Sequence, residues 1–327
     1  MAWTTEAQSM QVPRIEKLKT AYQTIVTQQY KLDHIRDEFP ELSNSAEAAS
    51  SDFETSALNE GVGVLEEVLS LSLGSMWPEY SKEVKTAVVS GLEDIDYTEE
   101  QASEFIQKVH KRAEGMTSEL DMLMLLSLNP RYIKNPEQEV SEGWIKTFDT
   151  ADLLGYEGEN FTLEIPMSWS VSDPDQSMAI QGFESGLGYG QVICLLMNSD
   201  VSGSDMEDSE FDKSLFYDLK KAHSLNAEML ASEQVNLNGL PGGKYVSDVS
   251  AGLFGDGDTL RSVTFMTKHQ HHLITMNFII LDGADTDVSG AEVEYKGVID
   301  NPESSVDSIQ KKYMPLLYSI AESIEFQ

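Results

Sequence analysis

A single cysteine, Cys194, occurs among 327 residues, so no disulfide can form within the chain and no pair of thiolates can grip a metal. It lies in the apolar run Gln191 to Met197, where a buried small side chain is expected rather than a reactive nucleophile. The lack of disulfides leaves the redox compartment open.

Basic residues are scarce as well. Twenty-two Lys and Arg stand against 56 Asp and Glu, for a formal net charge of −34. Nucleic acid and anionic membrane surfaces would repel such a chain. The charge reads as a solvated acidic coat, and more sharply as a surface for a basic partner or for cations. No run of about 18 apolar residues is present, so no membrane-inserted helix is expected. Met1 to Glu6 has neither the basic start nor the apolar stretch of an export signal. As it stands the sequence reads as cytoplasmic; an extracytoplasmic protein whose signal had been removed would read the same. A Walker lysine, a Gly-x-Ser-x-Gly elbow and a His-Glu-x-x-His motif are all missing. The glycines of Gly186 to Gly190 sit between two expected strands, whereas a phosphate-cradling loop opens a helix.

What is present is the composition of a folded protein, with 40% hydrophobic and 24% charged residues. The length and a change of pattern partway along predict two domains: helical over 1–140, a linker over 141–158, and an α+β domain over 159–327. In the first, Pro13 opens a stripe of Ile15, Leu18, Tyr22, Ile25, Leu32 and Phe39, broken by Gln29 and Arg36. This predicts a long amphipathic helix, packed either in a bundle or in a dimeric coiled coil. Leu42 to Asp52 reads as a polar loop or frayed start, followed by a helix from Phe53 to Leu73 that Gly61 and Gly63 weaken. A third helix restarts at Pro78 and closes near Gly91. Thr98 to Gln101 has capping-box spacing for a fourth. Met122 to Leu126 reads as core rather than as a Met-rich groove.

From Phe161 the period shortens to two. Strands are predicted over 179–183, 191–197, 244–249, 260–267 and 273–280, with a turn at Gly255 to Asp258. Helices are predicted over 210–230 and 305–324. Strands, helix, strands, helix suits an antiparallel sheet with packed helices, an α+β fold.

Phe161-Thr162-Leu163-Glu164-Ile165-Pro166-Met167-Ser168-Trp169, the Val235 to Tyr245 stretch with its Asn238-Gly239 turn, two long strands meeting near His269, and the closing Ile320 to Phe326 segment occur in a telling order. Over roughly residues 156–327 this order resembles the Mog1/PsbP-like fold, whose members include photosystem PsbP proteins, Ran-binding Mog1 proteins, and DcrB-type and LpqN-type bacterial proteins. The resemblance implies a fold and, for most members, binding without catalysis; it carries over no binding residue. In physical terms Pro166 ends a strand, Trp169 plugs a core, and Asn238-Gly239 accepts the positive φ angles of a tight hairpin.

Three of the six histidines cluster at His269, His271 and His272. Alternation along a strand would put His269 and His271 on one face, a pair that can grip a divalent cation if an acid joins them. Asp282, Asp285, Asp287 and Gly290 resemble a calcium loop, but Lys296 stands where such a loop requires a bidentate Glu. The acidic run Asp205 to Asp212 suits the N-terminus of the helix expected after it. Trp144, Trp169, Tyr189 and Tyr245 read as core or as the lining of a cleft.

The resemblance, together with the absence of a catalytic motif, points to a non-enzymatic binding or adaptor protein of bacterial type, with no cofactor and a protein partner. The first alternative is an extracytoplasmic lipoprotein or solute-binding component that takes up a cation at His269 and His271. The second is a hydrolase built on a buried carboxylate that no motif announces.

Overall fold

In the structure, a computed structural model, residues 14–93, 97–172, 179–202, 227–250, 259–281 and 305–327 are described. Two compact units divide the chain. Among the described residues, those up to Ile133 fall in the first, and those from Lys134 in the second.

The first unit is helical: α1 (Arg14–Glu38), α2 (Ser43–Thr55), α3 (Ala57–Leu73), α4 (Trp77–Glu93), α5 (Glu99–Ala113) and α6 (Leu120–Ser127), with α7 (Pro130–Lys134) at the boundary. Leu18, Tyr22, Ile25, Leu32 and Ile35 of α1 are buried against α2, α3, α4 and α6, so the seam of the long helix is closed within the bundle. The segment expected as a polar loop, Leu42 to Asp52, is helical instead. Its small Ala46 and Ala49 line up with Phe53 as a buried stripe and let α2 lie close to α1 and α5, which favours helix despite the polar composition. Ser56 breaks the helix with an extended ψ of 161°, and its hydroxyl donates to the Phe53 carbonyl at 2.7 Å.

Gly61, expected only as a weak point in α3, makes room for α6. A Cβ there would overlap the backbone carbonyl of Leu125 in α6. The Thr98 capping box is complete, with Thr98 Oγ1 accepting from the Gln101 N–H at 3.2 Å and Gln101 Oε1 accepting from the Thr98 N–H at 3.0 Å. Met122, Met124, Leu125 and Leu126 are core.

The second unit starts with α8 (Glu137–Ser141) and contains β1 (Ile145–Asp149), β2 (Phe161–Pro166), β3 (Ser170–Ser172), β4 (Ala179–Glu184), β5 (Val192–Asp200), β6 (Ala227–Leu237), β7 (Leu240–Ser250), β8 (Thr259–His269), β9 (His272–Ile280), α9 (Val306–Glu322) and β10 (Glu325–Phe326). The stretch 141–158, expected as a linker, therefore carries a strand: β1 pairs antiparallel with β2, Ile145 opposite Pro166 and Phe148 opposite Leu163. β10 pairs with the other edge of β2.

The remaining strands form a seven-stranded antiparallel sheet in the order β3-β4-β5-β9-β8-β7-β6. One face meets α9. Phe183, Cys194, Leu196, Val263, Phe265, Ile274, Met276 and Phe278 pack there with Ile309, Leu316, Leu317, Ile320 and Trp169. The Cys194 thiol is buried, and burial pushes its pKa up, which removes it as a nucleophile. Tyr245, Met266 and Leu273 form a smaller cluster. Asn238 (φ 51°) and Gly239 (φ 84°) turn β6 into β7.

Of the expected helix 210–230, Ala227 to Leu230 belong to strand β6, and the rest lies outside the described residues. The acidic run 205–212, the turn 255–258 and the calcium-like loop 282–296 lie outside them too.

Candidate functional site

The tip of the β8–β9 hairpin carries the histidines. A two-residue turn, Gln270 and His271, with Gln270 at φ 49°, separates the strands, so His269 pairs in register with His272 and His271 stands in the turn. The strand alternation expected to put His269 and His271 on one face is interrupted there.

Against this tip lies the loop from β1 to β2. Glu159 Oε1 is 2.6 Å from His269 Nδ1, and the imidazole stacks on Phe326 of β10 at a centroid distance of 4.3 Å. The Glu159 side chain is only 11% exposed, and its Oε2 is buried with no hydrogen-bond partner among the described residues. A second bridge runs alongside. Asn198 Nδ2 donates to the Tyr156 hydroxyl at 2.5 Å, Asn198 Oδ1 is 3.1 Å from His272 Nδ1, and Tyr156 donates to the Glu159 carbonyl at 3.0 Å. Burial raises the Tyr156 phenol above its ordinary range, so it stays a neutral donor. Gly158 permits this approach, since a Cβ would run into the Tyr156 hydroxyl and the Asn198 amide. At the base, Thr150 Oγ1 accepts from the Phe161 N–H at 2.9 Å and donates to the Phe161 carbonyl at 3.1 Å.

The braced loop leaves Leu154 fully exposed. Asp200, at the end of β5, accepts from the Ser202 N–H at 2.8 Å. Its carboxyl is held below its usual range by Ser202 first, with smaller contributions from the charges of His272 and His271. No group of three or more His, Cys, Asp or Glu among the described residues is placed to hold a metal ion.

A second cluster bears on the hydrolase alternative. Glu139 in α8, 3% exposed, accepts from the Ser168 N–H at 2.8 Å and from the Ser168 hydroxyl at 2.7 Å. Burial drives its pKa from 4.5 to about 7 against those two hydrogen bonds. Burial likewise lowers the pKa of Lys146, whose Nζ donates to the Trp169 carbonyl. Shifted titration marks functional candidates. Here the carboxylate is held by the buried Ser168, the Trp144 backbone N–H donates to the Glu139 carbonyl at 3.0 Å, and the arrangement ties α8 to the turn after β2.

No family model matches the sequence, and no curated protein does. Solved structures similar to the chain include a cyanobacterial PsbP (CyanoP) from Synechocystis, 14% identical, covering 56% of this chain and 92% of that one with a TM-score of 0.36. The Ran-binding protein Mog1p of Saccharomyces cerevisiae is 9% identical and covers 55% and 94%, with a TM-score of 0.35. A Pseudomonas aeruginosa protein of unknown function is 14% identical over 50% of this chain and all of its own, at 0.23. PsbP and Mog1 thus return from the expected resemblance. The likeness is one of fold over part of the chain, and these scores support no inference about activity.

Sequence reasoning singled out His269 as a metal ligand and missed the contacts of the tip. Tyr156 lies in the stretch read as linker, and Glu159, the first residue of the expected α+β domain, is 110 residues from His269. The one signal was Gly158 beside an aromatic and an acid, a spacing too common to single out.

Proposed function

We propose that the protein is a binding or adaptor protein of bacterial type, without catalysis, and that the hairpin tip of the second unit is its protein-docking surface. The observation that supports this is the pair of bridges, Glu159 to His269 and Tyr156 to Asn198 to His272, which hold the 150–160 loop in one conformation with Leu154 fully exposed. Energetically dominant interface residues are anchors presented in the bound geometry, because an ordered loop loses less entropy on association. Burial around Glu139 gives that carboxylate a structural part rather than a substrate.

A photo-crosslinking residue at position 154, with one at the exposed position 164 as control, tests this in cells. The reading expects one protein captured from 154 and not from 164, at a yield that drops when Glu159→Ala frees the loop. Equal capture from both positions overturns it.

One observation supports a second reading, a cation taken up by an extracytoplasmic protein: Asp200 pairs in register with His272 at the same hairpin tip. Native mass spectrometry with and without chelator separates the two. This reading expects a stoichiometric metal that is lost in a His269→Ala, His271→Ala double variant.

A further inference from the structure

Among the described residues the seven-stranded sheet ends at β3 on one side and at β6 on the other. β3 is only three residues long, too short to template another strand, whereas β6 presents an edge of 11 residues. Sheet edges are ordinarily blunted by shortness, proline or lysine, and β6 has none of these. Its one irregularity is a bulge at Leu230, 47% exposed, which leaves residues 231–237 as a regular stretch.

The hairpin to β7 fixes which backbone groups of that stretch are spare. The pair that closes its two-residue turn, Leu237 with Leu240, exchanges both N–H···O bonds, so Val235, Glu233 and Ala231 likewise turn their N–H and C=O toward Gly242, Lys244 and Val246. Ser232, Gln234 and Asn236, between them, turn theirs away from β7, and no hydrogen bond reaches those backbone groups among the described residues. Gln234 and Asn236 are exposed. Side chains alternate along the same stretch. Val235 packs against the core on the α9 side, and Glu233 beside it bonds Lys244 Nζ at 2.5 Å while its side chain stays 57% exposed.

We propose that this edge docks an extended basic segment of a partner protein, which adds a further antiparallel strand to the sheet and sets a lysine or arginine beside Glu233. The spare N–H and C=O groups recur at every second residue, a spacing that an extended chain matches, and every ladder of the sheet is already antiparallel. At about 3.4 Å per residue, a segment of six or seven residues covers the stretch from the bulge to the turn. Backbone pairing supplies the affinity and the alternating side chains the specificity. Charge decides between occupants: a second copy would bring one chain of net charge −34 against another, whereas a basic segment is attracted. Docking at β6 does not require Leu154, so it stands apart from the role given to the hairpin tip.

The full chain, labelled with ²H and ¹⁵N, is followed by amide hydrogen exchange with the peptide acetyl-Lys-Thr-Val-Thr-Lys-Thr-Lys-amide. Exchange at Ser232, Gln234 and Asn236 is expected to slow at least about tenfold and to saturate, while Glu233 and Val235, already bonded to β7, keep their rates. A peptide of the same charge, N-methylated at its threonines, which face β6, is expected to slow nothing, and so is one with Glu in place of Lys. Glu233→Gln keeps an acceptor for Lys244 and is expected to erase the preference for Lys over Gln at the peptide position beside it. Absence of slowing, or equal slowing by the N-methylated peptide, overturns the proposal. Slowing without peptide that rises with protein concentration assigns the edge to a second copy and overturns it as well.

Discussion

Glu139 and Ser168 are joined twice: one carboxylate oxygen accepts from the backbone N–H at 2.8 Å and the other from the hydroxyl at 2.7 Å, in a setting that leaves Glu139 3% exposed. The two bonds stabilise the charged form, yet burial outweighs them and raises the pKa from 4.5 to about 7. A carboxyl whose folded pKa is raised contributes stability that is whole below pH 4.5 and is lost as pH rises through 7. Every pH unit separating the unfolded and folded pKa values is worth about 1.4 kcal/mol, so the loss is about 3 kcal/mol.

Urea unfolding across pH 4 to 8 is expected to show this loss as a difference between the parent and Glu139→Gln, whose amide does not titrate. Acidic self-repulsion in the folded state grows over the same range and is common to both proteins, so the difference isolates Glu139. Parallel curves for the two would refute the assignment.

Glu119 titrates in the opposite sense. Its folded pKa of about 2 lies below the ordinary 4.5, so its contribution is present above pH 4.5 and fades as pH falls toward 2. The carboxylate is 36% exposed and solvent screens it, which limits the effect to about 1 kcal/mol. Arg112, which holds the Glu119 carboxyl down by donating to both of its oxygens, also donates to Gln28. Arg112→Met is a harsher change, because it strands the buried Gln28 and leaves Glu119 with Lys108 alone; a loss of about 2–3 kcal/mol at pH 7 is expected from denaturant melts, and a loss under about 0.5 would contradict the geometry.

Two glycines of α3 predict opposite outcomes for one substitution. Gly61→Ala drives a methyl into the Leu125 backbone carbonyl, which cannot yield as a side chain would, and is expected to cost about 2–3 kcal/mol. Gly63→Ala meets open space and is expected to stabilise by about 0.5–1 kcal/mol through higher helix propensity. Thermal melts of the two variants decide it; a Gly61→Ala variant that melts no lower than the parent would show that α3 and α6 do not approach closely.

At the hairpin tip, His269→Ala takes away the only described partner of the Glu159 carboxylate, whose Oε2 is already without one. Leaving that group unpaired costs about 1–3 kcal/mol. The loop from Leu153 to Glu159 is then expected to exchange its amide hydrogens faster while α9 keeps its protection. Unchanged exchange in the loop would mean that Tyr156 and Asn198 brace it alone.

Local rules suffice wherever a short window holds the whole physical cause. The Thr98 capping box, the Asn238-Gly239 turn, the β7, β8 and β9 strands and the buried place of Trp169 are each set by neighbours in sequence, by a cap, a positive φ or a period of two. They fail where packing overrides composition. Leu42 to Asp52 looks like a loop, and its alanines make it a helix only because α1 and α5 are there to cover them. The expected pairing of His269 with His271 fails for a local reason, a turn residue at positive φ that no periodicity argument registers.

The sequence by itself determined the acidic surface, the order of helices before sheet, the Asn238-Gly239 turn and the inert character of Cys194, because charge, period and turn chemistry are properties of short stretches. Only the tertiary structure decided which acids matter. Among 56 of them, Glu159 is singled out by a histidine 110 residues away, Glu139 by the closing of α8 over the turn after β2, and Glu119 by an arginine that the bundle buries. A carboxylate's role follows from what surrounds it, and those surroundings come from parts of the chain far apart in sequence.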